Sequence, residues 1–121
     1  SPIHRGRLFK PDSLREFLIE NRLVNHEGRP NKRALAALMG VHRNTVKTWL
    51  SDKGTMMHFR DYAYLNNLLD HLWSPEYMWD ELAYNPEAKV PASVCEEIQE
   101  KYGAEAKKKA YDADKPGPVE R

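Results

Sequence analysis

Apolar side chains recur every three or four residues along most of this chain, and no stretch alternates apolar and polar residues for long. The first spacing is typical of amphipathic helices, whereas alternation would indicate strands. We therefore predict an all-α protein. The helical stretches that the pattern defines are residues 14–22, 32–39, 43–51, 59–72 and 92–111, with a further helix beginning at Ser74 and a candidate break at Gly103.

The residues that flank these stretches predict where the helices begin and end. Asn31 stands directly before the second helix and is a good N-cap, because its side chain can accept a bond from a free backbone N–H. Asp12 and Ser13 are placed to cap the first helix in the same way. Gly40 follows the second helix, where a left-handed residue often ends a helix. The segment 25–31 contains a glycine and a proline and predicts a loop.

Two short helices that meet at Gly40 form the most informative part of the sequence. A small residue, Ala36, lies four positions before the glycine, and Val41 follows it directly. Val46 and Trp49 are three residues apart, so they share one face of the next helix and predict its buried side. A glycine turn between two short helices is typical of a helix-turn-helix.

The opposite face of the second of these helices is polar. With Val46 and Trp49 turned inward, we expect the side chains of Arg43, Asn44, Lys47, Thr48 and Ser51 to point outward. Trp49 is then an anchor in the core, and its polar neighbours are the candidate binding face.

Residues 31–54, with ALAALMGVHRNTVKTWL inside them, resemble the Cro and phage-repressor type of helix-turn-helix domain, also called the xenobiotic-response-element type. The small and apolar residues around Gly40 match the spacing of that family. The resemblance extends more loosely over residues 12–72, and it is weakest in the loop 25–31, where an insertion is expected. It implies a five-helix domain of the phage-repressor type, followed by one or more additional C-terminal helices.

The resemblance also implies where duplex DNA would be contacted. Residues 43–51 would lie in the major groove, with the N-terminal part of the helix at the base edges. Arg43 would pair with guanine and Asn44 with adenine, each through two hydrogen bonds. The implied base contacts are Arg43, Asn44, Lys47 and Thr48. The implied phosphate contacts are Asn31, Lys32, Arg33, His42, Thr45 and Ser51.

Charge is divided unevenly along the chain, although the net charge is only +1. Residues 1–54 carry eleven lysines and arginines against five acidic residues, while residues 55–121 carry eight against thirteen. A basic first half suits a surface that faces a polyanion. We predict a flexible basic arm over 1–11, a DNA-binding domain over 12–84, and a C-terminal helical extension with a disordered tail over 85–121.

Other kinds of chemistry lack a supporting motif. The five histidines are scattered, Cys95 is the single cysteine, and there is no glycine-rich phosphate loop. We therefore expect no catalytic site, no metal and no cofactor. The apolar runs are far shorter than the roughly 18–20 residues that cross a bilayer, so we expect no membrane partner. The lone cysteine and the lack of an apolar signal segment lead us to expect a cytoplasmic protein.

Together these features predict a sequence-specific transcriptional regulator, a dimeric repressor that binds an inverted-repeat operator. The resemblance further implies a phage or mobile-element protein. We expect residues 59–102 to form the homodimer surface, because aromatic residues and methionine are enriched at interfaces. The residues concerned are Trp73, Tyr77, Met78 and Trp79.

Two alternatives remain open at this point. An antitoxin-like protein would bind DNA through its first half and a partner protein through its tail. The apolar stripe of Val94, Ile98 and Tyr102 motivates that hypothesis, since these residues share one face of a helix. Alternatively, the helix-turn-helix would belong to an accessory factor of recombination or DNA packaging.

Overall fold

The computed structural model describes residues 8–77 and 90–114, and helices account for 66% of them. This part of the chain is therefore mostly helical, as predicted. None of its helices combines the length and the apolar character that a membrane crossing requires. The elements in chain order are β1 (Leu8–Phe9), α1 (Pro11–Glu20), α2 (Lys32–Met39), α3 (Arg43–Leu50), β2 (Met57–His58), α4 (Phe59–Leu72) and α5 (Ala92–Asp114).

All five of these helices contribute to one hydrophobic core. Fully buried side chains come from each of them, and burial of one such side chain stabilises the fold by about 1.5–3 kcal/mol. α5 packs mainly against α4 and also against α2. The C-terminal helix therefore belongs to the same core as α2 and α3. Representative fully buried residues are Leu18 of α1, Leu35 of α2, Val46 of α3, Leu68 of α4 and Ile98 of α5.

The bounds of α2 agree with the sequence prediction. The side-chain oxygen of Asn31 accepts a bond from the backbone N–H of Ala34 at 3.0 Å, which makes Asn31 the N-cap. At the other end Gly40 has φ 67° and ψ 35°, a left-handed conformation. Asn31 and Gly40 were sufficient to predict the bounds of α2 because each acts within four residues of a helix end.

The predicted start of α1 is wrong. Helix α1 begins at Pro11, with Lys10 as an extended N-cap that makes no side-chain cap, so neither Asp12 nor Ser13 caps it. Proline is favoured at the first helical position because its fixed φ suits the helix and its missing N–H would have no partner there. That preference shifts the helix start ahead of the two polar residues.

The all-α class holds for the described residues, but four of them form a small sheet that the sequence pattern did not indicate. Leu8 pairs with His58 and Phe9 with Met57 in a small antiparallel sheet, so the segment predicted as a flexible arm forms a strand at its end. The Phe9 ring stacks on Tyr62 of α4 with centroids 4.1 Å apart. Two-residue strands are too short to give an alternating pattern, and their pairing partners lie far apart in the chain.

Helix α5 runs without interruption through Gly103. The predicted break is wrong because the packing of α5 against α4 and α2 outweighs the low helix propensity of a single glycine. The Gln99 side chain occupies the space where a Cβ of residue 103 would lie. Glycine at this position permits close packing within a helix that tertiary contacts stabilise.

Several sequence predictions fall outside the described residues. They concern the basic side chains of the arm before Leu8, the helix beyond the turn at Ser74 with Met78 and Trp79, and the tail after Asp114.

Candidate nucleic-acid interface

The turn at Gly40 sets the angle between α2 and α3. The N–H groups of Gly40 and Val41 both donate to the Ala36 carbonyl, the second at 3.1 Å. Glycine adopts the left-handed conformation without the steric penalty that other residues carry. His42 returns to an extended conformation, and α3 begins at the next residue.

The end of α2 is closed by side chains from later in the chain. The Gln99 amide of α5 donates to the Leu38 carbonyl at 2.5 Å and to the Tyr64 hydroxyl at 2.8 Å. Tyr64 of α4 in turn donates to the Met39 carbonyl at 3.4 Å. The last carbonyls of a helix have no partner within it, so these donors satisfy groups that the turn leaves open.

The orientation of α3 is set by three buried side chains, Val46, Trp49 and Leu50, which are at most 8% exposed. The predicted role of Trp49 as a core anchor is thereby confirmed. On the other side of the helix Arg43 and Lys47 are exposed, and so are Asn44, Thr45 and, just past its end, Ser51. An exposed polar face on a helix held from behind is a surface that can meet a partner without local unfolding.

Four of the predicted DNA-contact side chains also have hydrogen-bond partners within the chain, namely those of Asn31, His42, Thr48 and Ser51. The Nδ1 atom of His42 accepts a bond from the Asn44 N–H at 3.0 Å and caps α3, much as Asn31 caps α2. The hydroxyl of Thr48 donates to the Asn44 carbonyl at 3.0 Å, and its side chain is only partly exposed. Among the four predicted base-contact residues, Thr48 therefore offers least to a partner.

The far end of α3 is tied to α1 by Arg15. Its guanidinium donates to the Leu50 carbonyl at 2.5 Å, to Asp52 at 3.2 Å and to Asp12. The two carboxylates, Asp12 first, raise the pKa of Arg15 above its usual value. A cation at the C-terminus of a helix also interacts favourably with the helix dipole.

A cleft of about 490 Å³ lies between α3 and the loop that precedes α2. It brings together four residues that were predicted separately as DNA contacts, namely Asn31, Lys32, Lys47 and Ser51. The remaining predicted contacts do not line it: Arg33 is exposed on the first turn of α2, and His42, Arg43, Asn44, Thr45 and Thr48 are elsewhere on α3 or its N-cap.

Sequence reasoning missed one basic residue of this cleft, Arg29, together with the neighbouring carboxylate Glu27. Their segment was interpreted only as a loop because it contains helix-breaking residues. A basic residue three positions before Lys32, at the start of a helix already assigned to phosphate, was the signal that could have found Arg29.

Two features of residues 8–77 and 90–114 bear on metal binding and on nucleophilic chemistry. No group of three or more histidine, cysteine, aspartate or glutamate side chains there is arranged to hold a metal ion. Cys95 is fully buried, and desolvation, with a smaller contribution from Glu96, raises the pKa of its thiol to about 12. The thiol is therefore protonated at neutral pH, and the thiolate is the nucleophilic form.

Comparison of the chain with protein-family models, with curated proteins and with solved structures finds no match.

Proposed function

We propose that this protein binds duplex DNA in a sequence-specific manner through α3 and acts as a transcriptional regulator, a repressor that binds an inverted repeat as a dimer. The observation that carries the proposal is the exposed polar face of α3, held outward by the buried Val46, Trp49 and Leu50 behind the left-handed turn at Gly40. This combination supports a recognition helix because it fixes the helix backbone while leaving its reading side chains free of the core.

The dimensions and chemistry of α3 suit the major groove. Its eight residues span about 12 Å at ~1.5 Å per residue, and a helix about 10–12 Å across fits a groove about 12 Å wide. Arg43 carries the planar donor pair that matches guanine O6 and N7, and Asn44 carries the donor and acceptor that match adenine. Each such bidentate pair contributes about 1–3 kcal/mol of discrimination between bases.

The start of α2 supports contacts to the DNA backbone. Lys32 and Arg33 are both exposed there, and α2 carries no acidic residue in its first turn. Positive charge and backbone N–H groups at a helix start favour a phosphate. Contacts of this kind position the protein without reading sequence, whereas α3 supplies the specificity.

The proposed dimer rests on the limited reach of one short helix. A single α3 contacts few base pairs, and dimers of such domains bind two half-sites about one helical turn apart. Within the predicted dimer region, Leu68, Leu72 and Ile98 are already fully buried in this chain. Ile98 is also the middle residue of the apolar stripe that motivated the antitoxin-like alternative. Because its side chain is buried within this chain, no contact among the described residues favours that alternative.

Selection of bound fragments from a random-sequence duplex library tests the proposal. We expect one enriched motif, arranged as an inverted repeat. Arg43→Ala and Asn44→Ala should each relax the preference at one position, by about 5- to 150-fold for a loss of about 1–3 kcal/mol. Lys109→Ala removes an exposed charge from α5 and serves as the control. A library without an enriched motif, or a motif that both variants of α3 leave unchanged, would refute α3 as the recognition helix.

The oligomeric state has its own measurement. Sedimentation of the protein with a selected duplex should give two protein chains on each inverted repeat. One chain bound to an asymmetric site would contradict the dimer while leaving DNA binding by α3 in place.

A further inference from the structure

The cleft beside α3 lies where the start of α2 and the end of α3 come near the loop of residues 25–30. The two helices are joined at Gly40, so these are the ends farthest from the turn. Lys32 stands at one of them, and Lys47 and Ser51 at the other. The loop thus forms the third side of the cleft, next to the ends of α2 and α3 that lie farthest from Gly40.

Hydrogen bonds within the loop fix its backbone. The Asn25 N–H donates to the Arg29 carbonyl at 2.8 Å, and the Asn25 side-chain oxygen accepts from the N–H groups of Glu27 and Arg29 at 2.8 and 3.1 Å. Val24 and Pro30 form an antiparallel bridge at its base. The side chain of Arg29 takes no part in these backbone bonds and is 79% exposed.

The charge of the cleft is positive, and it is assembled from three separate elements. Arg29 comes from the loop, Lys32 from α2 and Lys47 from α3, while Glu27 is the one carboxylate among the lining residues that the structure describes. The Glu27 carboxylate lies 3.8 Å from the Arg29 guanidinium and offsets part of its charge. Three cations against one anion leave the cleft with a net positive charge, which favours an anionic partner. Leu50 adds an apolar surface at the side of α3.

We propose that this cleft holds a sugar–phosphate unit of the DNA backbone, with Arg29, Lys32 and Lys47 around the phosphate. The proposal rests on DNA binding by α3, and it assigns Lys47 to the backbone rather than to a base. Duplex DNA fits better than a small anion because the cleft is far larger than one phosphate and is continuous with the exposed face of α3 through Lys47. The loop then extends the protein–DNA interface beyond the two helices of the motif.

Arg29→Gln tests the proposal with little risk to the fold, because the loop is held by backbone groups and by Asn25. Removal of one phosphate contact should make the negative slope of log K against log salt shallower by about 0.9, equivalent to about an eightfold loss of affinity near 0.1 M salt. The loss should be uniform across sequences, and the selected motif should stay unchanged.

Two further variants make the test sensitive to the sign and the place of the charge. Glu27→Gln should tighten binding, because it removes the carboxylate that opposes a phosphate in the cleft. Lys109→Gln removes an equal charge from exposed α5, outside the cleft, and should leave the slope unchanged. Weaker binding of the Glu27 variant, or equal slope changes for Arg29→Gln and Lys109→Gln, would overturn the cleft as a phosphate site.

Neutral methylphosphonate substitutions in the duplex locate the contact. At one backbone position in each half-site the wild-type protein should lose more affinity than Arg29→Gln does, since one of the three cations around that phosphate is already gone in the variant. If every substitution affects the two proteins equally, the proposal is wrong although DNA binding stands. If the wild-type protein binds no duplex at all, the proposed function itself fails.

Discussion

Replacement of Gly40 by alanine probes the corner between α2 and α3. Its φ of 67° lies in the left-handed region, which costs an L-residue about 1–2 kcal/mol. Gly28 is a matched control, because its φ is 79° and a Cβ there would meet nothing within 4 Å. Gly28→Ala therefore measures the backbone penalty, reduced by the ~0.4–1 kcal/mol that alanine contributes by restricting the unfolded chain.

At Gly40 the added Cβ meets the side chain of Gln99. It would lie 3.0 Å from Cδ and 3.2 Å from Oε1, closer than ordinary van der Waals contact. The amide must move, and with it the bonds to the Leu38 carbonyl and the Tyr64 hydroxyl, each worth about 0.5–1.5 kcal/mol. We expect Gly40→Ala to lower the free energy of unfolding by about 1–2 kcal/mol more than Gly28→Ala does.

Urea denaturation followed by far-UV circular dichroism measures these differences. Gly28→Ala and Gly40→Ala should be compared in the wild-type chain and again in a Gln99→Ala chain. Without the Gln99 side chain the excess cost at Gly40 should disappear, leaving the penalty seen at Gly28. Equal losses for the two glycine variants in the wild-type chain would refute the reasoning, and so would an excess that persists in the Gln99→Ala chain.

Three further predictions concern single side chains. A hydrogen bond from Lys101 holds the pKa of Glu76 below its ordinary value of 4.5. The stabilising effect of this contact is therefore present above pH 4.5 and is lost as the pH falls through the lowered pKa of Glu76. Glu76→Gln should therefore make the urea midpoint less sensitive to acid below about pH 4.5, and identical pH profiles would exclude the contact. Because burial raises the pKa of Cys95 to about 12, a thiol reagent near neutral pH should modify the native protein only as fast as it opens, whereas prompt labelling would contradict that burial. Arg15→Met should speed amide hydrogen exchange in the last turn of α3, because the Leu50 carbonyl loses its donor, and unchanged exchange would show that Arg15 does not hold this end.

The two helices α2 and α3 and the turn between them were predictable from the sequence because their signals are local. Asn31 caps a helix through an atom three residues away, and Gly40 adopts the left-handed conformation that ends it. Val46 and Trp49 share a face for reasons of helix geometry alone. The exposed side of α3 follows from those positions, so the polar residues of the candidate site were identifiable without coordinates.

Features that depend on distant parts of the chain were not predictable in this way. Strand β1 is stabilised by pairing with residues 57–58 and by the stacking of Phe9 on Tyr62, and neither contact leaves a local pattern. The cleft has the same origin, because Arg29, Lys32 and Lys47 come from three elements that only the fold brings together. Sequence spacing identified Lys32 and Lys47, but it identified neither Arg29 nor the concave shape of the basic surface.

Helix α5 changes the interpretation of the C-terminal part of the chain. Its apolar stripe suggested a surface for a partner, yet Ile98 is fully buried and α5 packs on α2 and α4 of the same chain. Its Gln99 side chain also supplies the donor for Leu38 at the end of α2, a carbonyl that would otherwise be left without one beside the turn. The free energy of packing α5 is therefore coupled to the corner that orients α3. A change that displaces α5 must be felt at Gly40, although the two are more than fifty residues apart in the sequence.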